Sequence, residues 1–269
     1  MGIKDVKRDR AALDPALILS ELAKTSSTWR DIEVFEQVSS TNDLVIERLA
    51  GANPDAVIVV TADEQLQGKG RLQRVWQSPF GAGIALSIAI PTATFSCPIS
   101  AVPLLVGLVI HRCLTEHSEL VRLKWPNDLM LLSPNQDLTK VGGILVQLQG
   151  KHAVIGIGIN TDLSEAELPT EFATSLALAG ISVRREVLIA KILSTLEQVL
   201  QNPQPEWLAD YRAACCTLQT QVLVTLPADQ KISGFATDVL DNGVLILNTA
   251  QGQIEITSGD VVQVRSQPS

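Results

Sequence analysis

Four short clusters in this sequence could carry chemistry, and the first of them is suited to binding an anion. In the first, Glu64 to Trp76, the cations Lys69, Arg71 and Arg74 are interleaved with Gly68 and Gly70 and end on Trp76. The glycines let backbone N–H groups come close to a ligand, the guanidinium groups can fork onto a phosphate or carboxylate, and the indole offers a flat apolar wall. The second, Lys124-Trp125-Pro126-Asn127-Asp128, places a cation, a carboxamide and a carboxylate at a bend that Pro126 stiffens, since proline fixes its own φ and biases its predecessor toward extended backbone. The third is Lys140-Val141-Gly142-Gly143, a lysine ahead of paired glycines. The fourth, Gly156-Ile157-Gly158-Ile159-Asn160-Thr161, lacks the third glycine and the following helix of a dinucleotide fingerprint, and no G-x-x-x-x-G-K-[ST] run occurs anywhere. A nucleotide bound by this chain is therefore held without either common phosphate loop. Taken singly, the first cluster also reads as a solvated turn, and the second as a strand-turn-strand with a surface ion pair.

The elements that must position these clusters follow from apolar spacing. Residues 11–25 carry Leu13, Leu17, Ile18 and Leu22 at helical intervals, with Pro15 suited to a first turn. Asp31 to Val38 reads as a strand, and a helix through Ala50 opens with Ser40 and Asp43 spaced like a capping box. The β-branched run Ala56 to Ala62 is a buried strand that delivers the chain into the glycine-cation segment, expected as a loop. Gly81 to Ile90 is a strand and Ala101 to Leu114 an apolar helix. Strands follow at Val121–Lys124, Asp128–Leu132, Gly142–Leu148 and Ala153–Ile159, with Ser133 to Lys140 as a polar loop. A long helix at about Arg184 to Gln201 is stopped by Pro203 and Pro205. After Cys216, five short strands are expected at Thr220–Leu226, Lys231–Leu240, Gly243–Asn248, Gln253–Thr257 and Val261–Arg265, with Asp241-Asn242-Gly243 as a turn. The pattern predicts an α+β fold, a mixed and largely antiparallel sheet with helices on one face, followed by a small separate β-barrel.

Composition excludes several classes. The 269 residues are 46% hydrophobic, enough for one large domain and a small one. With 21 basic against 29 acidic residues the formal charge is −8, which argues against non-specific binding to nucleic acid or to an anionic membrane. The longest apolar run, Ala101 to Ile110, contains Pro103 and Gly107 and falls short of the roughly 18 residues that span a bilayer. No signal-peptide core follows the charged first ten residues, so a cytoplasmic location is expected. Cys97, Cys113, Cys215 and Cys216 show no C-x-x-C spacing, and His111, His117 and His152 are scattered singles, so no metal ligand set is assigned.

Together and in this order, Ser39-Ser40-Thr41-Asn42, Gly68-Lys69-Gly70-Arg71 with Arg74 and Trp76, Ser78-Pro79-Phe80-Gly81, Lys124 to Asp128, Lys140 to Val146 and Gly156 to Asn160 resemble the biotin protein ligase family, over about residues 30–265. The resemblance implies the class II synthetase-like biotin/lipoate ligase fold with a C-terminal SH3-like β-barrel. It divides the chain into residues 1–30, a short helical extension; 31–216, the catalytic domain; and 217–269, the barrel. It implies biotin and ATP as substrates with Mg²⁺, formation of biotinyl-5′-AMP with loss of pyrophosphate, and transfer of biotin to one lysine of the biotin carboxyl carrier protein of acetyl-CoA carboxylase.

By the same resemblance, Ser40, Thr41, Asn42, Gln65, Lys69, Gly70, Arg71, Lys140 and Gly143 would surround biotin. Arg71, Arg74, Trp76, Asn127, Ile159 and Asn160 would surround the adenylate, and Arg71, Lys140, Asp128 and Lys124 would form the catalytic set. In that scheme the first cluster closes as a loop over the adenylate. The chain departs from the family pattern at Lys69, where arginine is common; an ammonium lacks the planar fork, so the clamp should rest on Arg71. Many bacterial relatives also carry an N-terminal winged helix-turn-helix, whereas one helix pattern precedes the first strand here, so no repressor activity and no nucleic-acid partner are expected. Homodimerisation is left open by uncovered strand edges. The rival readings are a lipoate ligase or octanoyl transferase of the same fold, whose Arg-Arg-x-Ser-Gly-Gly-Gly run is missing here, and a non-catalytic binding module.

Overall fold

The computed structural model describes residues 10–263 except Pro134, Gln136, Pro227 and Ala228, and leaves out the side chain of Gln73. The part of the expected last strand beyond Gln263, and residues 1–9 of the expected extension, lie outside the described residues. Helix α1 (Pro15–Ala23) begins where the Asp14 side chain accepts from the Ala16 N–H, and it buries Ile18 and Leu22. It lies against α4 (Arg185–Gln201).

The large sheet contains β1 (Ile32–Val38), β2 (Ile58–Lys69), β3 (Val75–Ser78), β4 (Gly83–Pro91), β5 (Val121–Lys124), β6 (Asp128–Leu132), β7 (Leu138–Gln149) and β8 (His152–Asn160). Their order is β1-β2-β4-β8-β7-β6-β5, with β3 paired to the far end of β2. Only β1 and β2 run parallel; the other pairs are antiparallel, which makes the sheet mixed, as expected.

Alternation along the central strands divides the two faces. Ile84, Leu86, Ile88 and Ile90 of β4 and Ile155, Ile157 and Ile159 of β8 point into the main core with α1, α3 (Val102–Thr115) and α4. On the opposite face Val60, Ala89 and Val154 meet Val45 of α2 (Thr41–Leu49). The expectation of helices on one face thus holds for α1, α3 and α4, while α2 covers part of the other.

Three local expectations are corrected. The glycine-cation segment is a hairpin rather than a free loop: β2 continues to Lys69, and Gly68 and Lys69 pair with Trp76 and Val75. The alternation signal stops near Asp63 because β2 leaves the core there, while its backbone stays paired. Lys140 is likewise on a strand, since β7 starts at Leu138. The capping box is half formed: the Ser40 side chain accepts from the Asp43 N–H, but the Asp43 carboxylate turns outward to Lys69 at 2.7 Å. Helix α5 (Trp207–Ala214) was not anticipated, because its eight residues follow the prolines that end α4.

The C-terminal strands β9 (Thr220–Thr225), β10 (Lys231–Val239), β11 (Leu245–Thr249), β12 (Gly252–Ile256) and β13 (Asp260–Gln263) form an antiparallel sheet in the order β12-β11-β10-β9-β13. It is less separate than its sequence suggested. Val222, Val224, Ala236 and Leu247 belong to the same buried cluster as the large sheet's core. The indole of Trp125, 1% exposed, donates to the Gly243 carbonyl at 2.9 Å, and its backbone N–H donates to Thr217 Oγ1 at 3.0 Å. Among the described residues no helix is long and apolar enough to cross a membrane.

Candidate active site

A cavity of about 1100 Å³ opens on the α2 side of the large sheet. Its floor is β8: Gly156, Gly158 and Asn160 share the face of Val154, one residue out of step with the isoleucines of the core. Both glycines are required by what lies on them. A Cβ at Gly156 would meet the Asn42 carboxamide, and one at Gly158 would fall on the Trp76 indole.

One end of the cavity is a buried network of neutral polar groups. Ser40, Thr41 and Asn42 all lie at the start of α2 and are all buried. Gln65 Oε1 accepts the Thr41 N–H at 2.9 Å and lies 3.0 Å from Thr41 Oγ1. Ser87 Oγ is 2.6 Å from Asn42 Oδ1, to which it must donate because an amide oxygen only accepts, and 2.7 Å from Thr41 Oγ1. Asn42 Nδ2 donates to Gln147 Oε1 at 2.7 Å. Sequence reasoning missed Ser87 and Gln147. Ser87 did leave a signal, as the one hydroxyl in the apolar run of β4, where an unpaired polar group would be costly.

Charge is gathered in the middle. Lys140 Nζ is 2.5 Å from Asp128 Oδ1 and 6.0 Å from the centroid of the Trp76 ring, within the range of a cation–π contact. The strand register sets Lys124 opposite Asp128, and both line the cavity. Gly143 also faces in, and a Cβ there would be 3.4 Å from Lys140 Nζ.

The three cations of the hairpin are not equivalent. Lys69 pairs with Asp43 at 2.7 Å in a half-exposed bridge, and Arg74 is ion-paired to Asp260. Arg71 instead donates to two neutral oxygens, Asn127 Oδ1 and Ser258 Oγ, each at 3.1 Å. Burial draws its guanidinium pKa below the ordinary value, partly offset by Asp260 and Asp128 nearby. A half-buried guanidinium satisfied only by neutral acceptors retains most of its capacity to bind an anion.

Among the expected residues, Ser40, Thr41, Asn42, Gln65, Lys69, Gly70, Arg71, Arg74, Trp76, Lys124, Asn127, Asp128, Lys140, Gly143 and Asn160 all line this cavity. Ile159 does not. Its side chain points into the core on the far face of β8, because it is out of phase with Gly158 and Asn160. A wall that was not foreseen runs from Pro169 to Ala173 and is fastened to β7: the Lys140 N–H donates to the Phe172 carbonyl at 2.7 Å and the Thr174 N–H to the Lys140 carbonyl at 2.9 Å. Asn160 Nδ2 holds the same segment through the Thr174 carbonyl at 2.9 Å. Phe172, 67% exposed, stands at the rim; an aromatic in a polar stretch was the available signal.

Comparison with known proteins gives the family. Residues 34–160 match the Biotin/lipoate A/B protein ligase family and residues 219–263 the Biotin protein ligase C terminal domain. The chain is 31% identical to the biotin--[acetyl-CoA-carboxylase] ligase of Mycobacterium tuberculosis, over 97% of this chain and 99% of that one. It is 31% identical to the bifunctional ligase/repressor BirA of Escherichia coli, over 87% of this chain and 74% of that one. Among solved structures, the biotin protein ligase of Aquifex aeolicus in complex with biotin and ATP superposes with a TM-score of 0.71 at 28% identity, covering 88% of this chain and 100% of that one.

Proposed function

This chain belongs to the biotin protein ligase family, and from that premise we propose that its cavity first makes biotinyl-5′-AMP and then biotinylates one lysine of an acetyl-CoA carboxylase carrier domain. It is an ATP-dependent ligase. The observation that carries the finer reading is the division of one cavity into a neutral buried network at Ser40, Thr41, Asn42 and Gln65 and a cationic middle at Arg71, Lys124 and Lys140.

In this reading the amide and hydroxyl groups take the polar ring system of biotin, and the cations take its carboxylate and the phosphates. When the carboxylate oxygen attacks the α-phosphorus and pyrophosphate leaves, two anions meet. Arg71, Lys124 and Lys140 offset that repulsion and the charge that grows on the phosphoryl oxygens. Trp76, over the glycine floor, and Asn127 and Asn160 take the nucleoside. In the second step the acceptor amine attacks the acyl carbon, AMP leaves, and Asp128 takes the amine's proton. Mg²⁺ brought in on the phosphates of ATP would add positive charge to the same region.

Gly158→Val is expected to raise the KM for ATP by about ten-fold or more, since the new side chain occupies the place of the Trp76 ring. Gly156→Val should raise the KM for biotin instead, by displacing Asn42. Steady-state kinetics with each substrate varied separately would read the split; equal rises in both constants for both variants would contradict this division of the cavity.

No DNA role is part of this reading. The chain's formal charge of −8 supports leaving it out. The activity test is direct: incubation with biotin, MgATP and a carrier domain, with lipoic acid as the control acid. Biotin on a single carrier lysine supports the proposal, and transfer of lipoate would favour the lipoate branch of the fold. The absence of both transfer and biotin-dependent ATP–pyrophosphate exchange would remove it.

A further inference from the structure

The Ser78-Pro79-Phe80-Gly81 run has no part in the chemistry just described, yet it seats a residue far from it in sequence. Gly81 has φ +65°, and a Cβ built on it would lie 2.6 Å from the Cβ of Arg10. The Arg10 side chain lies in the space this glycine leaves. Its side chain is 8% exposed and uses all three guanidinium nitrogens. Nε donates to Asp162 Oδ2 at 3.2 Å, and Nη2 donates to the Asp162 carbonyl and to Glu167 Oε2, both at 2.6 Å. Nη1 donates to Glu167 Oε1 at 2.9 Å and to the Phe80 carbonyl at 3.4 Å.

Asp162 and Glu167 bracket the start of the segment whose continuation, Pro169 to Ala173, is the cavity wall beside Lys140 and Asn160. Glu167 also accepts from the N–H and hydroxyl of Ser164, at 2.9 and 2.7 Å, closing a short helical turn. We propose that Arg10 is a positioning residue for the nucleotide: a bidentate clamp on Glu167, with Asp162, holds the 162–174 segment so that its far end forms the wall beside Lys140. The inference rests on the ligase reading for the identity of the ligand and on geometry alone for the clamp.

The clamp is separable from the fold. The segment that carries Arg10 is fastened independently. The Leu13 N–H donates to both oxygens of the buried Asp63 carboxylate, at 3.1 and 3.0 Å, and Arg185 bridges Asp63 and the Ala11 carbonyl at 2.7 and 2.6 Å. Removing the Arg10 head group therefore releases the start of the wall segment at Asp162 and Glu167, while its far end keeps its bonds to β7 and the segment that carries Arg10 stays in place. The Glu167 carboxyl, held down at about 2 chiefly by its hydrogen bond from Arg10, is ionised at neutral pH.

The test compares the wild-type chain with Arg10→Gln, Glu167→Gln and the double variant, by amide hydrogen exchange across residues 162–176 and by kinetics with ATP and biotin varied separately. Both single variants should exchange faster in that segment and raise the KM for ATP by roughly ten-fold, the worth of a charge-assisted pair, with the KM for biotin and the melting temperature little changed. The double variant should be no worse than either single one. Unchanged exchange in the segment would overturn the clamp, and so would parallel rises in both KM values accompanied by a fall in melting temperature, which mark a merely structural contact. Faster exchange in a chain that shows no biotin-dependent use of ATP would leave the clamp standing and remove the ligase reading instead.

Discussion

Arg71→Ala is expected to lower biotin-dependent ATP–pyrophosphate exchange by about 10²–10³-fold, the usual loss when a preorganised donor is withdrawn from developing charge. The expectation follows from the pairing pattern of the hairpin. Lys69 and Arg74 are already engaged by Asp43 and Asp260, whereas Arg71 rests on the neutral oxygens of Asn127 and Ser258. An incoming phosphate thus displaces no carboxylate from Arg71, and the lowered pKa that burial imposes on it is relieved by the new anion. The same substitution should loosen the hairpin tip over the mixed anhydride, so that the adenylate escapes and labels lysines on bystander proteins. Mass spectrometry of biotinylated lysines in a mixture of the carrier domain and an unrelated protein would show this. If Arg71→Ala labels only the carrier lysine, the hairpin does not seal the intermediate. Arg71→Lys should recover only part of the rate, because an ammonium cannot span two phosphoryl oxygens as the planar fork does.

Asp128→Asn and Lys140→Ala should separate the two half-reactions, even though the two side chains touch at 2.5 Å. Lys140→Ala removes a cation from the anion site and should lower adenylate formation by about 10²-fold or more. Asp128→Asn keeps the shape and leaves Lys140 charged and free to face the substrate, so adenylate formation should persist. Transfer to the acceptor amine, however, loses its base and should fall by about 10²–10⁴-fold. Single-turnover transfer from adenylate formed on the enzyme, measured apart from pyrophosphate exchange, reads the two effects. Loss of exchange in Asp128→Asn would mean that the carboxylate serves the first step, by orienting Lys140.

Much of this site was legible because glycines, cations and a proline bend mark places where the backbone can come close to a charged ligand. What was illegible lay where tertiary pairing overrides local pattern. The end of β2 and the start of β3 have no apolar alternation, since Leu66 of β2 and Val75 of β3 face solvent, and it is their pairing that makes them strands. Lys140 falls in a strand because Met130 pairs with it across the sheet, a contact no local signal contains. Ile159 was assigned to the nucleotide by its place in a motif, but a strand's period of two sends it to the core while Gly158 and Asn160 face the cavity. Gln147 joins Asn42 across 105 positions of sequence, and that distance hid it.

The small C-terminal sheet is joined to the rest by more than adjacency. Trp125 is a neighbour of both Lys124 and Pro126 in the bend that lines the cavity, yet its indole is hydrogen-bonded to Gly243 at a turn of that sheet, and the two parts share one buried cluster. Such a molecule should melt in a single cooperative transition. A modest destabilisation at the far end of the small sheet would then be felt as a smaller fraction of molecules holding Lys124, Asn127 and Asp128 in register, and the 124–128 bend would share its stability with β10, β11 and β12, none of whose residues line the cavity.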